Sequence, residues 1–186
     1  MKRAFDILCS VVALAVLAIP FALLCTAVVI TSRGPAIHWS QRVGRDNCLF
    51  MMPKLRTMRS DAPQVATHLL HDPQLWLTPL GGFLRRSSLD EFPQLWSVLI
   101  GQMSLVGPRP ALFNQHDLIA LRNERGVQML RPGLTGWAQV NGRDELPLAV
   151  KADFDREYLL RRSFAFDVAI LWLTAWIALT GRGFTR

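Results

Sequence analysis

Two adjacent carboxylates, Asp90 and Glu91, stand where the polar turn Ser87-Ser88-Leu89 runs into an apolar periodic stretch that ends near Gly101. That pattern predicts a helix start. A carboxylate at a helix amino terminus is held ionised by the dipole, which is the state a nucleophile or a metal ligand needs. Ser88 and Glu91 also have capping-box spacing, so on local grounds the acids serve a helix terminus as readily as chemistry. Neighbouring carboxylates repel, which raises one pKa, and a bound divalent cation would relieve the repulsion. Cations suited to phosphate occur nearby in the chain. Lys54 and Arg56, two apart, share one face of an extended segment, where they either both meet phosphate or form a solvated basic edge. Arg109 lies between Pro108 and Pro110, whose rings fix the backbone and either hold its guanidinium forward for bidentate contact or leave it solvated in a proline-rich turn. From Arg131 to Arg143, three glycines, one proline and two arginines fall within thirteen residues. This loop is too irregular for a helix. It either offers backbone amides and the face of Trp137 to a ligand, or forms tight turns around a buried Trp137.

The elements that must position these groups are bounded by two apolar ends. From Ile7 to Ser32 there are 26 residues without a charge, more than the roughly 20 that cross a bilayer as a helix. Lys2 and Arg3 precede the run and Arg33 follows it, so the positive-inside rule draws both flanks to one side. Pro20, near the middle, removes a helical hydrogen bond and predicts a kink. A re-entrant hairpin accommodates both features, with a single crossing as the alternative. The run exceeds a usual signal-peptide core, and Leu24 before Cys25 lacks the small residue that lipoprotein processing needs. Ala36–Gln41 and Leu49–Met52 read as strands joined by the turn-rich Val43–Asn47, a small hairpin. Leu118–Leu130 reads as a surface helix, and Val150–Arg162 as another with Lys151, Asp155 and Tyr158 on one face. The last apolar run, Phe164–Thr180, has 17 residues, marginal for spanning. Trp172 and Trp176 on one face predict an interfacial helix, with Asp167 at its water side.

Length and composition set the frame. With 186 residues the chain suits one domain with a sizeable core. A net charge of +7 suits nucleic acid, anionic lipid or phosphate-rich ligands. The basic residues are scattered in short groups between apolar runs, which argues against nucleic acid, whereas 51% hydrophobic residues argue for membrane contact. Cys9, Cys25 and Cys48 form no CxxC pair, so disulfide and zinc roles are set aside. His68 and His71 fall in a polar loop between Pro63 and Pro73. Asp153-Phe154-Asp155 matches the acidic pair that metal-dependent glycosyltransferases use, but lies in a charged helical stretch rather than after an apolar strand.

Four motifs occur in order: Lys54-Leu55-Arg56-Thr57-Met58, Ser88-Leu89-Asp90-Glu91, Met103-Ser104-Leu105-Val106-Gly107-Pro108-Arg109-Pro110, and Arg131 through Arg143. Each is weak alone, but together the run strongly resembles the bacterial sugar transferase family, the monotopic phosphoglycosyl transferases. The basic amino terminus, Pro20 and the Asp155–Tyr158 spacing extend the likeness over nearly the whole chain. The resemblance implies an α+β, predominantly helical fold with a re-entrant membrane helix kinked at Pro20, a small β-hairpin and a carboxy-terminal interfacial amphipathic helix. It implies one catalytic domain: 1–33 membrane-embedded, 34–163 cytoplasmic and catalytic, 164–186 interfacial helix and tail. By family likeness Asp90 is the nucleophile and Glu91 its partner beside Mg2+. The donor is a UDP-sugar, the acceptor polyprenyl (undecaprenyl) phosphate, and UMP leaves by a ping-pong route at the cytoplasmic face of the bacterial inner membrane. The product begins lipopolysaccharide, exopolysaccharide, capsule or glycoprotein glycans. Lys54, Arg56, Arg109, Gln139, Arg143 and Asp167 would line the site. A chain opening at its membrane segment resembles the small members, which lean toward N-acetylated sugars. Leu55 replaces a common aromatic residue, and Ile19 a serine whose hydroxyl would satisfy a carbonyl freed at the kink.

Overall fold

The computed structural model describes residues 1–32, 34–63, 72–142 and 146–180. Its longest element, α1 (Lys2–Ser32), is helical throughout, with Pro20 inside it. Only one side of α1 meets protein. Asp6, Ser10 and Val28 are buried, while Leu8, Val12, Val16, Ile19, Leu23 and Ile30 face outward. Among the described residues it is the one helix long and apolar enough to cross a membrane. Water cannot stabilise such a face, so the exposed apolar side marks lipid contact.

The chain returns in a hairpin, β1 (Ile37–Val43) against β2 (Leu49–Leu55), in antiparallel register from Ile37–Leu55 to Val43–Leu49. This matches the expected hairpin, with both strands longer than the sequence suggests. Asp46 and Asn47, with φ of 54° and 60°, turn the chain in the left-handed region that short polar side chains tolerate. Alternation then divides the strand: Phe50 and Met52 are buried, Leu49 and Met51 exposed.

Short helices α2 (Gly81–Ser87) and α3 (Gln94–Leu99) lead to β3 (Ser104–Val106). After α4 (His116–Glu124), β3 receives a parallel partner, β4 (Gly133–Thr135). The approach is close enough that a Cβ on Gly133 would lie 2.1 Å from the Gly107 amide nitrogen. Helices α5 (Trp137–Val140), α6 (Leu148–Arg161) and α7 (Phe164–Thr180) complete the chain. The main core gathers Met52, Leu95, Val98, Met103, Val106, Tyr158 and Ile170. A second cluster, Val28, Leu55 and Leu84, lies beneath the membrane helix.

Both ends of α1 are tied to this body. Arg3 caps the carboxyl end of α3 by donating to the carbonyls of Val98 (2.6 Å) and Leu99 (2.7 Å). Asp6 accepts from Ser104 Oγ at 2.8 Å and the Leu105 amide at 3.3 Å. At the other end of α1, Arg56 donates to the Ser32 carbonyl (3.1 Å) and hydroxyl (2.6 Å). Between them Phe21 packs on Phe92, ring centroids 5.0 Å apart.

Candidate active site

Asp90 and Glu91 sit in a single 3-10 turn, Leu89–Glu91, between α2 and α3. The expected capping box does not form. Ser88 adopts φ 57° as the residue that ends α2, its side chain makes no cap bond, and the α-helix proper starts only at Gln94. What holds the turn is apolar: Leu89 packs into the Val28–Leu55–Leu84 cluster and Phe92 against Phe21.

Asp90 is buried, and among the described residues its carboxylate accepts no hydrogen bond. Burial therefore raises its pKa, aided by Glu91 and opposed by Lys54, Arg85 and Arg109. This reverses the dipole expectation, because desolvation outweighs the field of one short turn. Glu91 is held instead by Arg109, Nη2 to Oε1 2.7 Å, with Lys54 Nζ at 3.9 Å from the same oxygen. Lys54 is itself shifted down to about 8, chiefly by burial, and neighbouring Arg109 and Arg42 add to the shift while Glu91 resists it. Arg85, a further cation that acts on Asp90, donates to Thr57 Oγ1 at 3.0 Å.

These groups open onto a cleft of about 1160 Å³, above the usual 300–1,000 Å³ of small-molecule sites. One wall is cationic, with Lys54, Arg85 and Arg109. Another is apolar, formed by Leu134 and by Leu171, Thr174 and Ile177 of α7. Gln139 also lines the cleft. It donates to the Leu134 carbonyl at 3.1 Å while its own buried Oε1 has no partner.

The structure thus brings together Asp90, Glu91, Lys54, Arg109 and Gln139. Arg56 borders the cleft, but its guanidinium is directed to the end of α1. Asp167 lies elsewhere. Rather than facing water, it is buried, accepting from Tyr158 Oη at 2.7 Å and from Lys2 Nζ at 2.6 Å. Burial and this acceptor raise the Tyr158 pKa. Arg143, His68 and His71 lie outside the described residues. Arg85 and His38, which lines the cleft opposite Lys54, were not foreseen. The alternation that links His38 to its register partner could have found it. For Arg85 only its place five residues before Asp90 gave any signal.

The acidic pair Asp153 and Asp155 is divided. Asp155 is buried on Arg122, whereas Asp153 is exposed on Arg125. Among the described residues there is no group of three or more metal-ligating side chains. The Asp90–Glu91 pair still suits Mg2+, which typically takes one or two carboxylates and completes its shell with water and substrate phosphate. The hydrogen-bond-free carboxylate of Asp90 is a donor of that type.

This turn and its cations lie beside a helix with an exposed apolar face, and their charge suits phosphate groups. The sequence matches the family described as bacterial sugar transferase over residues 1–181, and the chain belongs to it. It is 36% identical to an undecaprenyl-phosphate galactose phosphotransferase of Salmonella typhimurium, across 98% of this chain and 41% of that protein. It is 37% identical to the UDP-glucose:undecaprenyl-phosphate glucose-1-phosphate transferase of Escherichia coli, across 94% and 39%. The exopolysaccharide production protein ExoY of Rhizobium meliloti is 33% identical, across 98% of this chain and 87% of its own. The chain spans about two fifths of the length of the first two relatives.

Proposed function

We propose that this protein transfers a sugar 1-phosphate from a UDP-sugar to polyprenyl phosphate through a covalent intermediate on Asp90. The observation that carries the reading is the buried Asp90 carboxylate, without a hydrogen bond and flanked by Lys54, Arg85 and Arg109. An ion kept in that state is desolvated and reactive, and the cations accept the charge that phosphoryl transfer spreads over equatorial oxygens. In the first step an Asp90 oxygen attacks the sugar-bearing phosphorus. The bond from that phosphorus to the bridging oxygen breaks, and UMP leaves with the electron pair. In the second step an oxygen of the lipid phosphate attacks the same phosphorus and the Asp90 carboxylate is released. Arg109 and Lys54 orient Glu91 and the phosphates, and Gln139 Oε1 takes a donor from the nucleotide sugar. Mg2+, held by Asp90 and Glu91, would supply charge neutralisation at the diphosphate when bound.

The relatives' names specify galactose and glucose, sugars without an acetamido group, so they lend nothing to an N-acetylated donor. We place the body on the cytoplasmic side of the membrane, and attachment from one side only is supported by α1. A straight helix of 31 residues is roughly 45 Å long, yet its first turn, Phe21 and Ser32 all contact the same body. A perpendicular crossing would carry one end away from it.

The test is to incubate the full chain with UDP-glucose or UDP-galactose and Mg2+ but no lipid acceptor, then weigh the intact protein. A sugar-phosphate adduct on wild type and none on Asp90→Ala is expected. No adduct on wild type across a UDP-sugar panel, or an adduct that survives in Asp90→Ala, would sink the assignment. Release of UDP rather than UMP would instead favour a simple glycosyl transfer.

A further inference from the structure

The motif Asp153-Phe154-Asp155, which the proposed reaction leaves unused, provides one end of a chain of contacts to the site. Asp155 is 1% exposed and accepts from Arg122 Nε at 2.9 Å and Nη2 at 2.7 Å. The remaining nitrogen of that guanidinium, Nη1, donates to the carbonyl of Arg109 at 2.9 Å. Arg109 in turn places Nη2 at 2.7 Å from Glu91 Oε1. Asp155 on α6 therefore orients Arg122 on α4, and Arg122 holds the main chain from which the Arg109 side chain extends.

We infer that Asp155 and Arg122 are positioning residues, which set where the Arg109 guanidinium stands beside Glu91 and the phosphate. The chemistry of the pair fits that task. Only a planar fork can satisfy a carboxylate with two nitrogens and still aim a third at a carbonyl; an ammonium cannot. A carboxylate at this depth is costly in itself. A simple tie between α4 and α6 already exists at the surface, where Asp153 meets Arg125 Nε at 2.7 Å. What Arg109 acts on rests on the proposed reaction, whereas its mooring by Arg122 rests on the contacts alone.

The deciding variant is Arg122→Lys, which keeps the charge opposite Asp155 and loses the fork. Full-length protein in nanodiscs is measured in three ways: UMP release from UDP-glucose or UDP-galactose, thermal melting, and hydrogen exchange of the peptide spanning 105–112 without substrate. The expected result is faster exchange across that peptide, a kcat lowered on the order of 10- to 100-fold with KM changed less than about three-fold, and a melting temperature within a few degrees of wild type. Asp155→Asn should show the same pattern; if it does not fold, Arg122→Lys decides. In an Arg109→Ala background Arg122→Lys should add little, since the group it positions is gone. Wild-type exchange and kcat in folded Arg122→Lys, or a full multiplicative loss on top of Arg109→Ala, would overturn the inference. A wild type that releases no UMP counts against the proposed reaction, and the exchange measurement then decides the mooring by itself.

Discussion

Replacing Asp90 by asparagine should move stability and activity in opposite directions. Asn has nearly the same shape, so packing around Leu89 and Phe92 is retained. The charge is what disappears, and in the folded protein that charge is buried without a hydrogen bond. Its pKa is raised above the ordinary carboxylate value of 3.8. Between 3.8 and the raised value the native state binds more protons than the unfolded one, so stability falls as pH rises through that window. Above that window wild type bears the penalty of an ionised Asp90 and the variant bears none. Single stabilising substitutions commonly yield about 0.5–2 kcal/mol, and each kcal/mol raises the melting temperature by roughly 2–4 °C at this chain length. The variant should therefore melt a few degrees higher above the window, and the difference should close as pH falls toward 3.8. UMP release should drop on the order of 10⁴-fold or more, as for loss of a nucleophile. Differential scanning fluorimetry across pH, with UMP release on the same preparations, checks both. A variant less stable than wild type at every pH, or a difference independent of pH, would show that burial does not raise the Asp90 pKa.

Lys54, shifted down to about 8, should lose its proton as pH rises through that value, so UMP release is expected to decline above pH 8 with a midpoint near it, and Lys54→Arg should move the decline upward. Because unfolded lysine stays protonated to 10.5, the Lys54 contribution to stability should grow between pH 8 and 10.5, and denaturation of Lys54→Met should lack that rise. Phe21→Leu removes an aromatic pair worth about 1 kcal/mol; several-fold slower adduct formation, with melting lowered by only a few degrees, is expected, and unchanged adduct kinetics would separate α1 from the catalytic turn. Asp167→Asn weakens a charged hydrogen bond to Lys2 worth about 1.5–3 kcal/mol, so melting should fall by roughly 3–12 °C with little change in KM.

The parts of this fold legible in sequence are those with a long or local signal. The apolar α1, the β1–β2 hairpin and the helices α6 and α7 each follow from periodicity within one segment. The parallel pair β3–β4 does not, because three-residue strands carry no period and their pairing joins Ser104 to Gly133 across intervening helix α4. The site shows the same division. Asp90, Glu91, Lys54 and Arg109 were recognisable by type and motif. That Glu91 would be held by Arg109 rather than by Ser88 depended on a contact 18 residues away. Asp167 was placed at the water side because its partner Lys2, 165 residues distant in sequence, exerts no local signal. Arg56 shares a strand face with Lys54, but the arrival of Ser32 captured its guanidinium.

Leu89 and Phe92 bracket the two carboxylates; Phe92 rests on Phe21 of α1, and Leu89 packs into the cluster that includes Val28 of α1. In the proposed mechanism α1 is thus the floor of the reaction centre as well as its anchor. Trimming it away to obtain a water-soluble enzyme would remove the support from beneath the acids rather than merely release the protein. Grafting α1 from a relative would transplant part of the catalytic apparatus, and a graft would be tolerated only where the residue at position 21 still fills the space under Phe92. If the proposed reaction runs at these carboxylates, bilayer thickness or lateral pressure acting on α1 would reach them through the packing of Phe92 on Phe21 and of Leu89 on the Val28 cluster.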